Sequence, residues 1–573
     1  EYGNPQIEVK IDKENKTLHI SDQGIGMTAE EVEKYINQVA FSGAEEFLDK
    51  YKDTAKDSGI IGHFGLGFYS AFMVADQVEI LTKSYKDDAP AVRWVCDGSP
   101  EFTLEETDRR TERGTEIILH IAEDSTEFLE EYRIRELLLK YNKFMPVPIK
   151  FGTKTETLDL PEDAPEDAVA ETRETDNIIN NPTPAWTQQP SALSAEDYTK
   201  FYHELYPMQF EEPLFHIHLN VDYPFHLTGI LFFPKLANNL NIEKDKIQLY
   251  QNQVFVTDEV KGIVPDFLTL LRGVIDSPDI PLNVSRSYLQ ADGAVKKISQ
   301  YITKKVADKM ASLLNENRED YEKKWNDIKI VIEYGMISEE KFYEKSDKFA
   351  LYPTTNGKYY LWNELEEKLK ANQTDKDGNF VILYASDRDA QHSYIEAAKE
   401  KGYEVLLLDS PIVPHLIQKL ESSKEKIQFV RVDGDHINKL IKKDEPAISK
   451  LTDEEKENLK KTLEESINDQ KFTVQLEDLD STDAPFIITQ PEFMRRMKDM
   501  QAIGGGGMFA MGGFPEMYNL VVNTNSSLAT EILKPENAEN SKTKIADALD
   551  LAKLSQNLLK GKELTDFIKR GYE

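Results

Sequence analysis

The chain has 573 residues, too many for one hydrophobic core, so about three or four domains are expected. Acidic residues outnumber basic ones by 103 to 69, which gives a net charge of −34. This surface repels phosphate backbones and argues against nucleic acid as a partner.

The compartment is indicated by the single cysteine, Cys96. One cysteine cannot form an intrachain disulfide and fits a reducing environment. No apolar run approaches the ~20 residues needed to cross a membrane, and no signal peptide opens the sequence. The expectation is a cytoplasmic protein without a membrane partner.

A strand–turn–helix corner is predicted at the start of the chain. Residues 7–11 (IEVKI) and 17–20 (TLHI) alternate apolar and polar residues around the polar run KENK, which predicts a β-hairpin that ends at Asp22. Thr28 precedes Glu31 by three residues, which is the spacing of a helical capping box. The stretch SDQGIGMT, residues 21–28, is therefore the turn of this corner.

Two further elements are predicted before a change of composition near residue 150. Residues 57–75 read as a glycine-rich loop that runs into an apolar, buried helix, and residues 115–121 (TEIILHI) read as a strand. Residues 156–176 then hold nine acids and a single base, Arg173, which indicates a linker or an exposed excursion.

The rest of the chain alternates mixed and helical segments. Within residues 350–435, FVILYA and EVLLL flank a helical pattern, which predicts a small α/β subdomain. The tail, 540–570, is helical with one apolar face that Gln556 interrupts: Ile545, Leu549, Ala552 and Leu559. The predicted domains are 1–150, 151–440 and 441–573.

The chemistry-bearing motifs are three glycine turns: Asp22-Gln-Gly24-Ile-Gly26-Met27, then Gly62-His-Phe-Gly65-Leu-Gly67-Phe68, then Gly114-Thr115. A carboxylate accepts a hydrogen bond from an adenine amine, and glycines let backbone N–H groups approach phosphates. Taken singly, each turn is more often only a turn or a packing glycine. No P-loop, no His/Cys cluster with metal-ligand spacing and no G-x-S-x-G elbow occurs.

The combination of turns resembles the GHKL ATPases, and GHFGLGFYSAFMVAD, residues 62–76, resembles the heat-shock protein 90 chaperones in their bacterial form. RGTEIILHI (113–121), LLRGVIDSPDIPLNVSRSYLQ (270–290) and YEVLLLDSPI (403–412) extend this resemblance along the chain. It implies an α+β multidomain protein: an incomplete GHKL (Bergerat) α/β sandwich, an α/β middle domain and a mixed α/β C-terminal dimerisation domain.

The resemblance also implies an ATP site. Asp22 corresponds to the adenine-binding aspartate, Arg286 to a middle-domain arginine that reaches the γ-phosphate, and Gln290 to its neighbour. Residues 28–60 correspond to a lid over ATP. The nucleotide-binding residues implied by the family motifs are Asp22, Gly24, Gly26, Met27, Tyr35, Gly62, Gly65, Gly67, Phe68 and Thr115.

Two departures from the family pattern limit this assignment. The family carries its catalytic glutamate and Mg²⁺-binding asparagine on a helix before the first hairpin, and EYGNPQ does not match that helix. Family members often have Asn and Lys where this chain has Tyr35 and Phe41. Weak ATP binding and negligible hydrolysis are therefore expected, with no general base, magnesium ligand or other metal ligand assigned.

The implied function is an ATP-dependent chaperone that remodels client proteins as a homodimeric clamp joined through residues 540–570. One alternative is a nucleotide-independent holdase or scaffold. A second alternative, another GHKL enzyme such as a kinase, lacks an evident phosphoacceptor-histidine domain.

A methionine-rich segment is the predicted client surface. Six of the twelve methionines lie between 494 and 517 beside four consecutive glycines, a composition that suits an adaptable apolar surface or, alternatively, soft core filling. The candidate client residues are Met497, Met508, Phe509 and Met511. Trp186 resembles another client-facing position, with burial in its own domain as the alternative.

Overall fold

A computed structural model describes residues 5–38, 66–157, 172–236, 246–281, 293–443, 448–503 and 516–572. The chain divides into two compact units. The first comprises residues 1–235 and 239–302, and the second comprises residues 236–238 and 303–573. None of the helices in these described ranges is both long and apolar enough to cross a membrane.

The first unit opens with the N-terminal sheet, whose strands run in the order β5-β4-β3-β6-β2-β1-β7-β8. The helices packed with it are α1 (Ala29–Tyr35) and α2 (Glu131–Asn142), with 3-10 helices at Gly67–Met73 and Glu123–Leu129. The strands are β1 (Ile7–Asp12), β2 (Thr17–Asp22), β3 (Ala75–Lys83), β4 (Val92–Cys96), β5 (Phe102–Glu106), β6 (Gly114–Ile121), β7 (Ile149–Thr157) and β8 (Thr172–Ile178).

The predicted strand–turn–helix corner is confirmed. Strands β1 and β2 pair antiparallel around the turn that follows Asp12. The Thr28 hydroxyl accepts a hydrogen bond from the Glu31 N–H, and the Glu31 carboxylate accepts one from the Thr28 N–H. The predicted strand at 115–121 is also confirmed as β6.

The buried helix predicted after the glycine-rich loop is wrong in type and burial. Residues Gly67–Met73 form a 3-10 helix in which no residue is fully buried, and Met73 is 82% exposed. Phe68 and Phe72 pack against the core of the N-terminal sheet. The apolar sequence of this segment predicts burial, but the segment is only partly covered, through side chains such as Phe68 and Phe72.

The domain boundary predicted at residue 150 falls inside the N-terminal sheet. β7 pairs parallel with β1, and β8 pairs antiparallel with β7. The acidic segment 156–176 therefore includes strand residues at both of its ends, while residues 158–171 lie outside the described part. An edge strand with solvated side chains has a polar sequence, which is why composition suggested a linker.

The second sheet of this unit, in the order β12-β11-β13-β10-β9, packs against α3 (Ala195–Leu205). Its strands are β9 (Phe215–Val221), β10 (Leu227–Phe233), β11 (Ile247–Gln251), β12 (Val254–Thr257) and β13 (Arg272–Asp276). Trp186 lies in this core with no exposed surface, and its Nε1 donates to Asp276 Oδ2 at 3.1 Å. The client-facing assignment of Trp186 is therefore wrong in this structure, and its alternative of core burial is correct.

Helices dominate the first part of the chain beyond β13. Their apolar faces contribute several of the largest fully buried side chains, including Trp325 and Phe342. The helices are α4 (Gly293–Glu316), α5 (Arg318–Ser338), α6 (Glu340–Ser346) and α7 (Trp362–Leu369), with the short strands β14 (Tyr352–Pro353) and β15 (Tyr359–Tyr360).

The predicted small α/β layer is confirmed within the second unit. β16 pairs parallel with both β17 and β18, so β16 is the central strand. Its elements are β16 (Phe380–Ala385), α8 (His392–Glu400), β17 (Val405–Leu407), α9 (Val413–Ser423), β18 (Ile427–Arg431) and α10 (Ile437–Leu440). Strand β16 is buried along its whole length, as its continuous apolar sequence predicts.

The last sheet has the order β19-β21-β20. Its core includes Ile545 and Ala552 of the C-terminal helix, so the apolar face predicted there packs largely within its own chain. The elements are α11 (Asp453–Ile467), β19 (Phe472–Glu477), β20 (Phe486–Thr489), α12 (Glu492–Ile503), β21 (Tyr518–Asn523), α13 (Ser527–Ile532), α14 (Ala538–Ser555) and α15 (Gly561–Arg570). The boundary predicted at 441 falls between two sheets of one compact unit.

A buried carboxyl group on α5 makes the stability of the second unit sensitive to pH. Glu333 is 6% exposed, and its Oε2 has no hydrogen-bond partner in the described part of the chain. Burial raises the pKa of this carboxyl to about 7, although the Ser410 hydroxyl and the Lys329 ammonium oppose the shift. Lys329 is itself paired with Asp409 at 2.6 Å.

We predict that replacing Glu333 by glutamine removes a pH dependence of stability. Because the folded pKa lies above the unfolded one, folded Glu333 keeps its proton in the pH window between the two values, about 4.5 to 7. The free energy of unfolding therefore falls by about 2.5 kcal/mol as pH rises from 5 to 8. Denaturant unfolding at several pH values should show that Glu333→Gln lacks this decrease.

The control is Glu344→Gln, which removes an exposed carboxylate from α6. It should keep the pH dependence of the parent chain. Equal slopes for the parent and Glu333→Gln would show that Glu333 is ionised in the folded state at pH 5 and would overturn the assignment.

Candidate nucleotide site

The site is built where the ends of β2, β3 and β6 meet. The hydroxyl of Thr82, on β3, lies at the centre of this junction. Thr82 is completely buried. Thr82 Oγ1 accepts from the Met27 N–H at 2.9 Å, lies 2.9 Å from Thr115 Oγ1, and donates to the Gly114 carbonyl at 3.3 Å. One buried hydroxyl thus connects the turn after β2 to the start of β6.

The carboxylate of Asp22 is oriented by two backbone donors. Its Oδ1 accepts from the Gly24 N–H at 2.7 Å and from the Thr115 N–H at 3.3 Å. Its Oδ2 has no hydrogen-bond partner among the described residues. The half-buried side chain therefore presents one fixed, unused acceptor, which is what an exocyclic amine requires.

Two of the predicted glycines are required by close backbone approach. Gly26 has φ +61°, and a Cβ there would lie 1.9 Å from the Lys83 carbonyl oxygen. Gly114 has φ +121°, and a Cβ there would lie 2.1 Å from the Asp22 carbonyl oxygen. Any side chain at either position would separate the strands, so these glycines position Asp22 by packing.

Two arginines that the sequence analysis missed tie down the turn. Arg110 Nη2 donates to the Asp22 carbonyl at 2.8 Å, and its Nη1 donates to Ser21 Oγ at 3.3 Å. Arg113 Nη2 donates to the Gln23 carbonyl at 3.2 Å. No sequence motif marks Arg110 or Thr82, and Arg113 opens the quoted motif RGTEIILHI without any signal of its contact to Gln23, because these contacts join residues far apart in the chain.

Aromatic residues anchor the segment around α1. Phe68 lies edge-on to Trp94, with ring centroids 5.7 Å apart. Trp94 Nε1 donates to Asn37 Oδ1 at 2.8 Å, and the Tyr69 hydroxyl donates to the Ile36 carbonyl at 2.5 Å. The 3-10 helix and β4 thus hold the chain that leaves α1.

The structure brings part of the predicted site together. Asp22, Gly24, Met27 and Thr115 share one hydrogen-bonded corner, and Gly26 packs closely within it. Met27 and Phe68 pack against the same core. Outside the described part of the chain lie the predicted site residues Gly62, Gly65, Arg286 and Gln290 and the client candidates Met508, Phe509 and Met511.

Two predicted contacts stay predictions. Gly67 is exposed, and a Cβ there would meet no atom within 4 Å, so its packing does not require glycine. Tyr35 is the half-buried last residue of α1, with the Lys34 ammonium 5.0 Å from its ring centroid. No group of three or more His, Cys, Asp or Glu residues in the described ranges could hold a metal ion, so Mg²⁺ has no assigned ligand.

We predict that Gly114→Ala destabilises the first unit by about 3 kcal/mol, because the added Cβ meets the Asp22 backbone and the positive φ is strained. The matched control is Gly152→Ala, where φ is +76° but a Cβ would meet no atom within 4 Å. That change should cost about 1 kcal/mol from strain alone. Thermal unfolding measures both, and equal losses would contradict the packing role of Gly114.

Comparisons with known proteins cover nearly the whole chain. A family profile described as "Hsp90 protein" matches residues 159–566, and one described as "Histidine kinase-, DNA gyrase B-, and HSP90-like ATPase" matches residues 4–110. A "Chaperone protein HtpG" from Bacteroides thetaiotaomicron is 56% identical over 94% of this chain and 77% of its own length.

Two further relatives carry the same printed name. The Porphyromonas gingivalis protein is 53% identical over 94% of this chain and 77% of its own length. The Alcanivorax borkumensis protein is 33% identical over 74% of this chain and 67% of its own length. The chain therefore belongs to the Hsp90 family, and its N-terminal part is a GHKL-type ATPase domain.

Proposed function

We propose that this protein is an ATP-dependent molecular chaperone that binds and remodels client proteins. The observation that supports it most is the unused carboxylate oxygen of Asp22, held by Gly24 and Thr115 beside the half-buried Met27. Relatives of this chain are named as chaperones, which supports the protein-directed part of the proposal.

The described residues fit the adenosine end of ATP. Asp22 Oδ2 would accept from the adenine amine, Thr115 would offer its hydroxyl beside it, and Met27 would contact the base. By the family motifs, Gly62, Gly65, Gly67 and Phe68 would contact the phosphates. Arg286 would contact the γ-phosphate, and Gln290 would lie beside Arg286. Bound ATP supplies the free energy that would bias a clamp between open and closed states.

The C-terminal helices support a homodimer. Ion pairs from Arg570 to Asp547 and Asp550 hold α15 against α14. Leu551 and Leu554 of α14 are 55% and 43% exposed, and Ile568 of α15 is 47% exposed. These residues, rather than the buried Ile545 and Ala552, would form a two-fold interface.

The segment around α12 supports a client surface. Phe493 is 70% exposed, and Met497, half-buried, lies one turn further along the helix. An adaptable methionine beside an exposed aromatic ring suits varied apolar partners.

The single cysteine remains the support for a cytoplasmic location.

We predict that the chain suppresses aggregation of a heat-denatured client enzyme and that ATP changes this suppression. Light scattering, measured with and without ATP, should show the nucleotide effect in the parent and in the exposed-site control Asp76→Asn. It should disappear in Asp22→Asn, which loses the negative charge and one acceptor oxygen. Suppression that never responds to ATP would instead support the nucleotide-independent holdase, and no suppression would refute both.

We also predict that the double variant Leu554→Asp with Ile568→Asp is monomeric. Buried carboxylates without partners would strongly oppose association. Analytical ultracentrifugation should show the mass of two chains for the parent and for the control Thr565→Asp, whose side chain is on the exposed part of α15. A parent that sediments as one chain, or a double variant that remains dimeric, would rule out this interface.

A further inference from the structure

A cavity of about 220 Å³ lies in the second unit, remote in sequence from the nucleotide motifs. Ser393, Tyr394 and Ala397 of α8 line one side, and Val432 and His436, which follow β18, line the next. The opposite wall comes from the segment before β20, from β20 itself and from α14: Asp483, Phe486, Ile488, Ala552 and Ser555. The cavity therefore joins the α/β layer to the last sheet and its helix.

The topology of the α/β layer explains why a cavity forms at this point. The strand order is β17-β16-β18, so the chain leaves β16 toward one side and later returns to pair on the other. The segments that carry α8 and α10 leave from the carboxyl ends of β16 and β18. Open parallel sheets bind ligands in the crevice outside the carboxyl ends of their strands.

Two polar side chains of the lining, His436 and Asp483, lie next to each other. His436 is 4% exposed, and its Nδ1 accepts from the Asn438 N–H at 3.3 Å, which leaves the proton on Nε2. Nε2 lies 3.7 Å from Asp483 Oδ2, which is longer than a hydrogen bond. Asp483 Oδ2 also accepts from the Asp480 N–H at 3.2 Å.

The charge of this cavity favours a cation. Burial lowers the pKa of His436, so its imidazole is neutral at neutral pH and does not pair with the Asp483 carboxylate as a cation. Lys401, a cation that also acts on His436, does not line the cavity. Lys439 and Glu477, which also act on His436, form a salt bridge with each other. No lysine or arginine is among the described lining residues.

The size of the cavity limits the ligand to one ring. Pockets for drug-sized molecules hold about 300–1,000 Å³, and this cavity is smaller. Val432, Ile437, Phe486 and Ala552 provide apolar lining, and the Asp483 side chain is 34% exposed. A flat apolar body with one charged end would fill this space.

We propose that the cavity binds a small organic cation, a primary ammonium group attached to a single apolar ring. The ammonium would pair with the Asp483 carboxylate, and the ring would lie between Val432 and Phe486. This site is separate from the proposed ATP function, because none of its lining residues belongs to the nucleotide motifs.

A ligand in the cavity would act on a neighbouring pair of hydrogen bonds to the Ile488 carbonyl, here called the polar clasp. The Tyr394 hydroxyl donates to the Ile488 carbonyl at 2.9 Å, and Gln556 Nε2 donates to the same carbonyl at 2.7 Å. This contact explains why a glutamine interrupts the apolar pattern at position 556. A ligand that touches α8, β20 and α14 together would stabilise the clasp.

The test is titration of the full chain with benzylamine, followed by NMR of alanine and isoleucine methyl groups without nucleotide. Binding should be saturable, and benzyl alcohol, which has the same shape without the charge, should bind at least tenfold more weakly. Asp483→Asn should weaken benzylamine at least tenfold, and Ala397→Leu, which fills the cavity, should abolish binding.

The matched control is Glu396→Gln, which also removes one negative charge. Glu396 lies on α8, pairs with Lys399 and does not line the cavity. It should bind benzylamine as the parent does. The proposal is overturned if benzylamine does not saturate the parent, if benzyl alcohol binds equally well, or if Asp483→Asn binds as tightly as Glu396→Gln. None of these outcomes bears on the ATP proposal.

Discussion

The hydrogen-bonded corner formed by Asp22, Gly24, Met27 and Thr115, here called the nucleotide corner, depends on one buried hydroxyl. Thr82 contacts the backbone after the first glycine turn, the Gly114 carbonyl and the Thr115 hydroxyl, so it fixes two chain segments at once. Removing a partner of a buried polar group costs about 1–3 kcal/mol, because the remaining groups stay dry and unpaired. The orientation of Asp22 follows from this junction, since Thr115 supplies one of its two backbone donors.

The local parts of this corner could be predicted from the sequence. The alternation of apolar and polar residues predicted the hairpin, and the Thr28–Glu31 spacing predicted the start of the helix. The glycine turns indicated the nucleotide corner. Each of these signals depends on residues a few positions apart. Thr82 and Arg110 gave no such signal, because their partners are about 30 to 90 residues away and are chosen by the pairing of strands.

The misassigned segments share a physical cause. The composition of a segment reflects its exposure to solvent. Strand β8 lies at the edge of the sheet and is exposed along most of its length, so its sequence is polar like that of a linker. The 3-10 helix after Leu66 reads as apolar but is covered on one side only. In the C-terminal helix α14, the periodic face identified the intrachain core, and the exposed Leu551 lies off that pattern.

We propose that Asp22 recognises the amine of adenine. The most direct measurement compares ADP with IDP, which carries a carbonyl in place of that amine, by calorimetric titration of the parent chain and of Asp22→Asn. We expect the parent to bind ADP at least tenfold more tightly than IDP and Asp22→Asn to lose this preference. Equal affinity of the parent for both nucleotides, or a preference that survives in Asp22→Asn, would contradict it.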